Sequence, residues 1–383
     1  MPPPPRNLGP LIAWPYDLSA FQWPEMNPER LANALAESKT VNLDVLSYSH
    51  DELMVILYEV FQSTGLPSEL SLNNQKLQAF LWVIRTQGYY NNAYHCFEHA
   101  CDVFLTLHAF LYMTDSLDGQ RWNRLHLAAS FFAAIIHDME HPGVNNDFLI
   151  KTRAPVAVTY NDRSVLENHH CAQGFRALLH PRLNFTEALS PQDFNTFRST
   201  VVQLVLATDM SRHGEYMKLT QDPLWPTGAF PHIAQQSPKL PSCYFPVCFC
   251  SFVDNISSKL ATGEPNDLKL LELVLKCSDI SNIVKPFHIG KQWAVRVTTE
   301  FFAQGAKELE LGLPLTPMCD SKKTRVSSQI GFSQYVARGC FSAVVRIFPS
   351  LSVLISNLDE NDKIWPQYDD TRLLAEVPIP DWS

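Results

Sequence analysis

The sequence predicts a mostly α-helical domain, on three observations. From Ser49 onward apolar residues recur at helical spacing, as in Leu53, Ile56 and Val60, and this period is typical of amphipathic helices. No long run alternates between apolar and polar residues, and no glycine-rich loop follows a strand pattern. The chain has only 14 glycines and no repeat of fixed period. With 46% hydrophobic residues, its 383 residues are enough for a large buried core.

The charge and the cysteines restrict the classes of function. The net charge is −9 with histidine neutral, which argues against nucleic acid as a partner because backbone binding needs concentrated Lys and Arg. The nine cysteines form no C-x-x-C pair, a pattern typical of reduced cytosolic thiols. The start lacks the apolar segment of a signal peptide, and no apolar run is long enough to span a membrane. We therefore expect a cytoplasmic protein.

The first part of the chain is predicted to be an arm followed by helices. Residues 1–45 are rich in proline and tryptophan, and we interpret them as an extended arm with one short helix over 28–38. Apolar residues at helical spacing then predict helices over 51–63 and 77–86.

The segment 91–104 combines histidines with an apolar stripe. On a helix, His95, His99 and Asp102 would share one face, because residues three and four apart are neighbours on a helix surface. The alternative is a polar stripe whose histidines are hydrogen-bonded within the fold. Taken alone, the segment favours that alternative.

The next segment joins a strongly apolar run to charged groups. Residues 125–136 lead directly into His137 and Asp138, and Pro142 with Gly143 is expected to stop the helix. Burial of an unpaired charge is costly, and a metal ion is one common solution. The alternative is a capped core helix whose histidine and aspartate bond to backbone groups.

Two helices in the middle of the chain also place polar groups at their ends. In the segment 160–170, Ser164 and Glu167 fit a capping box at a helix start. The segment 204–213 is an apolar helix that ends in polar residues. Residues 221–246 follow, and their prolines predict a loop or insertion.

The last two elements carry a carboxylate and an amide. An apolar helix over 267–279 ends at Asp279, and a proline follows at 286. The stretch 326–332 contains Gln329 and leads into an apolar helix that we expect to run to Ile355.

These apolar helices, which end in or expose histidine and aspartate, together indicate one metal site. The candidate ligands are two imidazoles and two carboxylates: His99, His137, Asp138 and Asp279. Such a set suits Zn²⁺, Mn²⁺ or Fe²⁺ and leaves coordination positions for water. Asp138 could also bind a second, harder ion such as Mg²⁺. His95, one helical turn from His99, is well placed to act as an acid beside a metal-bound water.

A zinc peptidase is the main competing interpretation. The segments 137–141 and 95–99 both match the H-x-x-E-H pattern of inverted zinc peptidases. A peptidase needs this motif on one continuous helix, and Pro142 directly after 137–141 argues against that. The sequence contains neither G-x-S-x-G, a signature of serine hydrolases, nor G-x-x-x-x-G-K-S/T, the signature of P-loop proteins. It therefore favours neither of these two classes.

Six motifs stand in a fixed order along the chain. They are Tyr94-His95-x-x-x-His99, His137-Asp138-x-x-His141-Pro-Gly-x-x-Asn146, Leu166-Glu-Asn-His-His170, Ala207-Thr-Asp-Met210, Asp279-Ile-Ser-Asn282 and Gln329-x-Gly-Phe332. The same motifs occur in this order in class I 3′,5′-cyclic nucleotide phosphodiesterases, and the chain resembles that family from about residue 45 to 355. Ordered motifs over such a span are highly specific. The variants around Asp279 and Gln329 are most similar to the cGMP-selective branch.

The resemblance implies an all-α fold, a compact multi-helix bundle of the wider HD metal-hydrolase class. It also implies a catalytic domain that hydrolyses cGMP, cAMP or both to 5′-nucleoside monophosphates. It implies Zn²⁺ on the four ligands above, and Mg²⁺ or Mn²⁺ on Asp138 and waters. In this family a hydroxide that bridges the two metals attacks phosphorus. By this resemblance His95 would protonate the departing 3′ oxygen.

The resemblance also implies a substrate pocket and a shell of residues around the metal ligands. Gln329 would contact the purine edge, with Phe332 and Val297 on the two sides of the ring. The other pocket residues would be Tyr94, Met210, Asn282 and Ile283. The residues that orient ligands and waters would be His141, Glu167, Thr208 and Asp209.

The chain is thereby divided into the arm 1–45, a catalytic domain 46–360 with the insertion 221–246, and a tail 361–383. The implied partner is a small cyclic nucleotide, and a homodimer is one oligomeric state the sequence leaves open. Two other functions stay open at this point: the zinc peptidase, and a non-catalytic nucleotide-sensing domain that kept the fold. Retention of every candidate ligand and of His95 speaks against the second.

Overall fold

The computed structural model describes residues 16–221 and 264–380, and every regular element within them is helical. The α-helices are α1 (Pro28–Glu37), α2 (His50–Ser63), α3 (Leu66–Glu69), α4 (Asn74–Gln87), α5 (Phe97–Met113), α6 (Arg124–Ile136), α7 (Asn146–Lys151), α8 (Pro155–Thr159), α9 (Val165–Leu178), α10 (Pro191–Thr208), α11 (His213–Gln221), α12 (Glu264–Asp279), α13 (Phe287–Glu310), α14 (Arg325–Phe332), α15 (Arg338–Ile347), α16 (Ser352–Ile364) and α17 (Asp370–Glu376). A π-helical turn, Ser333–Ala337, joins α14 to α15. The predicted all-α bundle is confirmed.

Four helices, α5, α6, α10 and α12, form the centre of the bundle. In α6 every residue from Leu127 to Ile136 is buried, and a helix that is apolar on all sides is stable only inside a core. Helix α6 packs against α5 and α10, and α12 packs against the same two helices. The C-terminal ends of α6 and α12 therefore meet the first turn of α5, and the candidate ligands lie at that place.

Close packing of α9 on α6 brings further polar groups to the same place. Gly174 of α9 lies against Ile136, and a Cβ atom there would come within 2.4 Å of the Cδ1 atom of Ile136. Only glycine permits this approach. As a result His170 of α9 reaches the chain just beyond α6, where its Nδ1 lies 2.6 Å from the carbonyl oxygen of Met139.

The C-terminal part of the chain differs from the expectation of one helix that runs to Ile355. Helix α15 ends at Ile347 and α16 begins at Ser352, because Pro349 has no N–H to continue the helix. Residue 361, where a tail was expected to begin, lies inside α16. Helix α17 also belongs to the bundle, since Asp370 accepts hydrogen bonds from the backbone N–H groups of the first two residues of α14 at 3.0 and 3.3 Å.

The expected arm contributes to the core over the part that the structure describes. Its short helix is α1, and the apolar side chains before it pack on the main core: Tyr16, Phe21, Trp23 and Met26. Residues 1–15 of the arm and 222–246 of the expected insertion lie outside the described residues. Among the helices of the described ranges, none is long and apolar enough to cross a membrane.

Candidate active site

Four side chains that are distant in sequence bring their ligand atoms together. One nitrogen or oxygen from each of His99, His137, Asp138 and Asp279 lies within 4.8 Å of all the others. The Nε2 atom of His99 is 3.1 Å from Oδ1 of Asp279 and 3.4 Å from Oδ2 of Asp138. The Nε2 atom of His137 is 3.3 and 3.1 Å from the same two oxygens. The two imidazole nitrogens and two carboxylate oxygens therefore face one common point.

The end of α6 orients His137 toward that point. The helix ends at Ile136, well before Pro142, so the expected stop at Pro142 and Gly143 was wrong. His137 is the C-terminal cap, and its Nδ1 lies 2.8 Å from the carbonyl oxygen of Ala134. Because a carbonyl oxygen only accepts hydrogen bonds, Nδ1 of His137 must carry the proton. Nε2 then keeps its lone pair, which is directed at the cluster.

The turn after α6 is held by a distant backbone group. Glu140 has a φ of 61°, a left-handed conformation that a helix cannot continue through. Its N–H donates to the carbonyl oxygen of Gly88 at 2.8 Å. Residues 137–141 therefore form a turn, and this H-x-x-E-H match does not lie on one helix.

The charges of the cluster fit a bound cation. Burial alone would raise the pKa values of Asp138 and Asp279, but the neighbouring imidazoles lower both pKa values below the ordinary aspartate range. Burial alone would lower the pKa of His137, but the two carboxylates raise it well above its usual value. Two ionised, buried carboxylates require positive charge beside them. A metal ion supplies that charge and uses the imidazole lone pairs as well, so these residues can hold one.

Two further histidines lie beside Asp138 and stay neutral. Burial lowers the pKa of His170 to about 4, and its Nε2 is 3.7 Å from Oδ1 of Asp138. Burial and the charge of His95 lower the pKa of His141 well below its usual value. His141 was predicted from the sequence. His170 was not, although the Leu166–His170 motif contains it.

His95 lies beside the cluster, but not on the helix that was expected to carry it. Helix α5 begins at Phe97, and Cys96 before it is extended, with φ −129° and ψ 179°. The ring centroid of His95 lies 5.9 Å from that of His99 and 3.8 Å from that of His141, on which it stacks. The predicted proximity of His95 and His99 holds, but a shared helical face does not produce it.

Glu300 of α13 holds His95 in this place, and sequence reasoning missed it. One carboxylate oxygen of Glu300 accepts the backbone N–H groups of Tyr94 and His95 at 2.9 and 3.0 Å, and the other pairs with Nδ1 of His95. These two N–H groups lie before the start of α5 and have no carbonyl acceptor within that helix. The buried carboxylate of Glu300 accepts their hydrogen bonds instead. The only sequence signal was a carboxylate seven residues after Trp293, on the buried stripe of an amphipathic helix.

The same carboxylate keeps His95 protonated. Burial alone would lower the pKa of His95, but the charges of Glu300 and Asp138 raise it to about 9. In return, the pKa of Glu300 falls to about 2 against the effect of burial, mainly because of His95. His95 is thus an imidazolium at neutral pH, with Nδ1 occupied by Glu300.

Asp102, expected on the same face as the histidines, is directed elsewhere. Its Oδ1 is 2.5 Å from Nζ of Lys285, and both side chains are almost completely buried. A buried carboxylate needs a paired cation, and Asp102 has one in Lys285. This ion pair joins α5 to the segment that follows α12. It is not part of the ligand cluster.

Three of the residues predicted around the ligands, Glu167, Thr208 and Asp209, make hydrogen bonds to partners outside the ligand cluster. Glu167 accepts from the amide of Asn146 at 3.0 Å, and burial with the charge of Asp209 raises its pKa to about 7. Asp209 accepts the hydroxyl of Ser164 at 2.7 Å. Ser164 has a φ of 39° and makes no cap bond, so the expected capping box between Ser164 and Glu167 was wrong. Thr208 donates to a carbonyl of its own helix.

A buried lysine that sequence reasoning missed ties the end of α10 to α12. Lys276 is fully buried. Its Nζ lies 3.1–3.3 Å from three backbone carbonyl oxygens, those of Ala207, Thr208 and Asp209. Helix C-termini carry unsatisfied carbonyls that a cation stabilises. The same Nζ is 3.5 Å from the sulfur of Met210, whose side chain is 44% exposed.

The predicted pocket residues lie on the segments next to the cluster. Tyr94 accepts a hydrogen bond from the amide of Asn282 through its hydroxyl at 2.9 Å, and Ile283 beside it is buried. Gln329 and Phe332 lie on α14, which packs against α13, the helix of Val297. Within the described ranges, no hydrogen bond joins the Gln329 side chain to another residue.

Comparison with known proteins identifies what the chain is similar to. Residues 94–358 match the sequence profile of a family described as 3′5′-cyclic nucleotide phosphodiesterase. The chain is 32% identical to the 3′,5′-cyclic-nucleotide phosphodiesterase regA of Dictyostelium discoideum over 326 residues, which are 85% of this chain and 37% of the relative. It is 33% identical to the 3′,5′-cyclic-AMP phosphodiesterase 4C of Mus musculus over 341 residues, 87% of this chain and 46% of the relative. The chain thus spans less than half the length of these two relatives.

A solved structure shares the fold. The phosphodiesterase domain of the RhoPDE fusion protein from the choanoflagellate Salpingoeca rosetta superimposes with a TM-score of 0.72 at 28% identity, over 89% of this chain and 98% of that one.

Proposed function

The chain belongs to the 3′,5′-cyclic nucleotide phosphodiesterase family, and we propose that it hydrolyses 3′,5′-cyclic nucleotides to 5′-nucleoside monophosphates. The observation that carries this proposal is the convergence of four ligand atoms within 4.8 Å, with the ring of His95 5.9 Å from that of His99. A charged acid beside a metal-binding cluster is the arrangement that phosphodiester hydrolysis needs.

The proposed metals are Zn²⁺ on His99, His137, Asp138 and Asp279, and Mg²⁺ or Mn²⁺ with Asp138. When bound, such ions lower the pKa of water toward neutrality and offset the charge of a phosphate.

The protein holds the metal-ligand side chains in fixed orientations. His137 is fixed by Ala134, and neutral His170 lies beside the second oxygen of Asp138. His141, Glu167, Thr208 and Asp209 would orient these ligands and the waters beside them.

His95 is the proposed general acid. Hydrolysis breaks the bond between phosphorus and the 3′ oxygen, and this oxygen must gain a proton as the bond breaks. His95 is protonated near neutral pH, and its Nδ1 is taken by Glu300. The proton on Nε2 is therefore the one it would deliver, and Glu300 would stabilise the charge and the ring orientation before the transfer.

Glu300→Gln is expected to move the alkaline limit of kcat/KM to lower pH. The charge of Glu300 helps to raise the pKa of His95 to about 9, so the protonated acid is lost only as the pH rises through that value. An amide keeps an acceptor for the backbone but removes the charge, and the pKa should fall toward the ordinary value of about 6.5. We would measure kcat/KM from about pH 6 to 10.

Glu308→Gln is the matched control, because Glu308 is a buried carboxylate of the same helix that bonds to Gln304 and Thr316. Its alkaline limit should match that of the parent. An unchanged limit in Glu300→Gln would show that Glu300 does not set the protonation of His95.

Base recognition is proposed for Gln329, with the ring held by Phe332 and Val297. An amide has a donor end and an acceptor end, so it can meet adenine or guanine by turning over. No described residue holds the Gln329 side-chain amide through a hydrogen bond, so the amide can take either orientation. This supports the use of both purines as substrates. A cGMP preference, which the motif variants indicate, would then require that one orientation of the Gln329 amide is selected when the nucleotide binds in the pocket formed with Tyr94, Met210, Asn282 and Ile283.

Gln329→Ala and Phe332→Ala should have different effects on the two nucleotides. Stacking on Phe332 favours any purine, so Phe332→Ala should raise KM for cAMP and cGMP alike. Gln329→Ala should narrow any difference between them. Steady-state kcat/KM for both nucleotides on the parent and both variants measures this. A preference that survives Gln329→Ala unchanged would assign selectivity to the pocket wall, for example to Ile283 or Val297.

One experiment separates the proposed function from its alternatives. The purified protein is incubated with cAMP, cGMP and a generic peptide, with and without a chelator. We expect chelator-sensitive release of 5′-nucleoside monophosphate and an intact peptide. Peptide cleavage would support the zinc peptidase, which the turn at 137–141 disfavours. Nucleotide binding without turnover would support the non-catalytic sensor.

The wider setting of the domain is also proposed. The catalytic unit, expected over 46–360 with 221–246 as an insertion, would also include the rest of α16 and α17, because both belong to the same bundle. The six cysteines in the described part of the chain are free and buried, which fits a reducing, cytoplasmic location. The acidic net charge of −9 does not favour nucleic acid. A homodimer would be detected by light scattering.

A further inference from the structure

Two adjacent residues of α16, Asn361 and Asp362, each bond to a different segment of the proposed nucleotide pocket. Both lie beyond residue 358, where the match to the family profile ends. Asn361 is 4% exposed. Its side-chain nitrogen donates to the carbonyl oxygens of Ile283 and Lys285, both at 2.9 Å. The two N–H donors of one buried amide thus fix the backbone that follows Asn282.

Asp362 fixes the segment that follows Phe332. Its Oδ1 accepts the hydroxyl of Ser333 at 2.6 Å, and its Oδ2 accepts Nη2 of Arg338 at 2.6 Å. Ser333 is completely buried and begins the π-helical turn. π-Helical turns are rare and often occur at functional sites. A charged acceptor at its first residue and a salt bridge at the residue just after it hold this turn in place.

The two sets of contacts converge on the proposed substrate residues. On one side, Asn282 and Ile283 belong to the 3₁₀ turn Ser281–Val284. On the other side, Phe332 immediately precedes Ser333. Because Asn361 and Asp362 are consecutive residues of one helix, their hydrogen bonds connect both parts of the pocket to that helix. Neither residue belongs to the ligand cluster or contacts His95 through a hydrogen bond.

We propose that Asn361 and Asp362 are positioning residues for nucleotide binding, which act by holding the Ile283 segment and the Phe332–Ser333 junction in register. This inference rests on the proposed function. Loss of either contact set should let one wall of the pocket move while the metal cluster and His95 keep their own supports. The expected signature is weaker binding of a cyclic nucleotide with intact chemistry on a substrate that has no base.

The test compares Asn361→Ala and Asp362→Ala with the parent on cyclic nucleotides and on bis(p-nitrophenyl) phosphate, an activated phosphodiester without a purine. We expect KM for the cyclic nucleotide to rise roughly 10-fold in each variant, because Asn361→Ala leaves two buried carbonyl oxygens without their donor and Asp362→Ala removes charge-assisted hydrogen bonds. Turnover of the generic diester and bound metal should stay within about twofold of the parent. A global loss of structure would lower both activities together.

Asp359→Ala is the matched control on the same helix. Asp359 pairs with Nη1 of the same Arg338 at 2.8 Å, but its side chain is 50% exposed and bonds to neither pocket segment. It should leave KM unchanged. Asp362→Asn keeps an oxygen for the Ser333 hydroxyl and should recover part of the loss.

Ser333→Ala keeps the test decisive if Asp362→Ala does not fold. It removes only the donor of the same bond and leaves Asp362 paired with Arg338. Parent-like KM for cyclic nucleotides in Ser333→Ala and in Asn361→Ala would overturn the proposal. Equal losses on both substrates in a folded Ser333→Ala protein would also overturn it. A parent protein that hydrolyses the generic diester but neither cyclic nucleotide would refute the proposed function itself, and this inference with it.

Discussion

Replacing Asp279 with alanine should remove the bound metal and the activity together. Asp279 is the last residue of α12, and its Oδ1 lies 3.1 and 3.3 Å from the Nε2 atoms of His99 and His137. It is one of the two carboxylates of the cluster. Without it, Asp138 alone faces two imidazoles, and a divalent cation loses both a ligand and half of the compensating charge.

The expected loss of turnover is about 10⁴-fold, which corresponds to roughly 5–6 kcal/mol of transition-state stabilisation. Elemental analysis of the purified variant and kcat on the same sample measure the two effects. Asp267→Ala, on the same helix but outside the cluster, is the control and should keep metal and activity. Full metal occupancy in an active Asp279→Ala protein would disprove the ligand assignment.

Removing Asp279 should also change how stability depends on pH. The folded-state pKa of Asp279 is depressed by His137 and His99 against the effect of burial. The carboxylate therefore stabilises the fold above its unfolded pKa of about 3.9, and this contribution is lost as the pH falls through the lower folded value. The Asp279→Ala variant should lack this part of the acid sensitivity in metal-free protein.

Replacing His95 with alanine should lower turnover by about 10²–10⁴-fold, the range for loss of a general acid, while metal content stays that of the parent. His95 belongs to no ligand pair of the four-residue cluster, and its ring is held from outside by Glu300 and by stacking on His141. The fold and the metal should therefore survive its removal.

The leaving group distinguishes acid catalysis from positioning. The 3′ oxygen of a cyclic nucleotide needs a proton, whereas p-nitrophenolate leaves without one. The loss in His95→Ala should therefore be much smaller on bis(p-nitrophenyl) phosphate. His169→Ala removes an imidazole that pairs with Glu140 outside the cluster and serves as the control. Equal losses on both substrates would mean that His95 positions the substrate rather than protonates it.

The sequence by itself determined the fold class and the members of the ligand cluster. Apolar residues at helical spacing predicted the central helices, because burial and the helical period leave a pattern within a few residues. His137 and Asp279 were recognised because each follows an apolar run, where a polar group is costly unless it has a partner. The structure brings their ligand atoms together. The functional roles of these residues stay predictions.

The tertiary structure alone decided how the acid is held and where the elements end. His95 is oriented by a carboxylate 205 residues away, and the turn after His137 is set by the carbonyl oxygen of Gly88. Asp102 looked like part of the histidine face and instead pairs with Lys285, 183 residues away. Such partners leave no local pattern, because a buried polar group needs only a matching group in space. Packing of the helices, rather than spacing along the chain, decides which group that is.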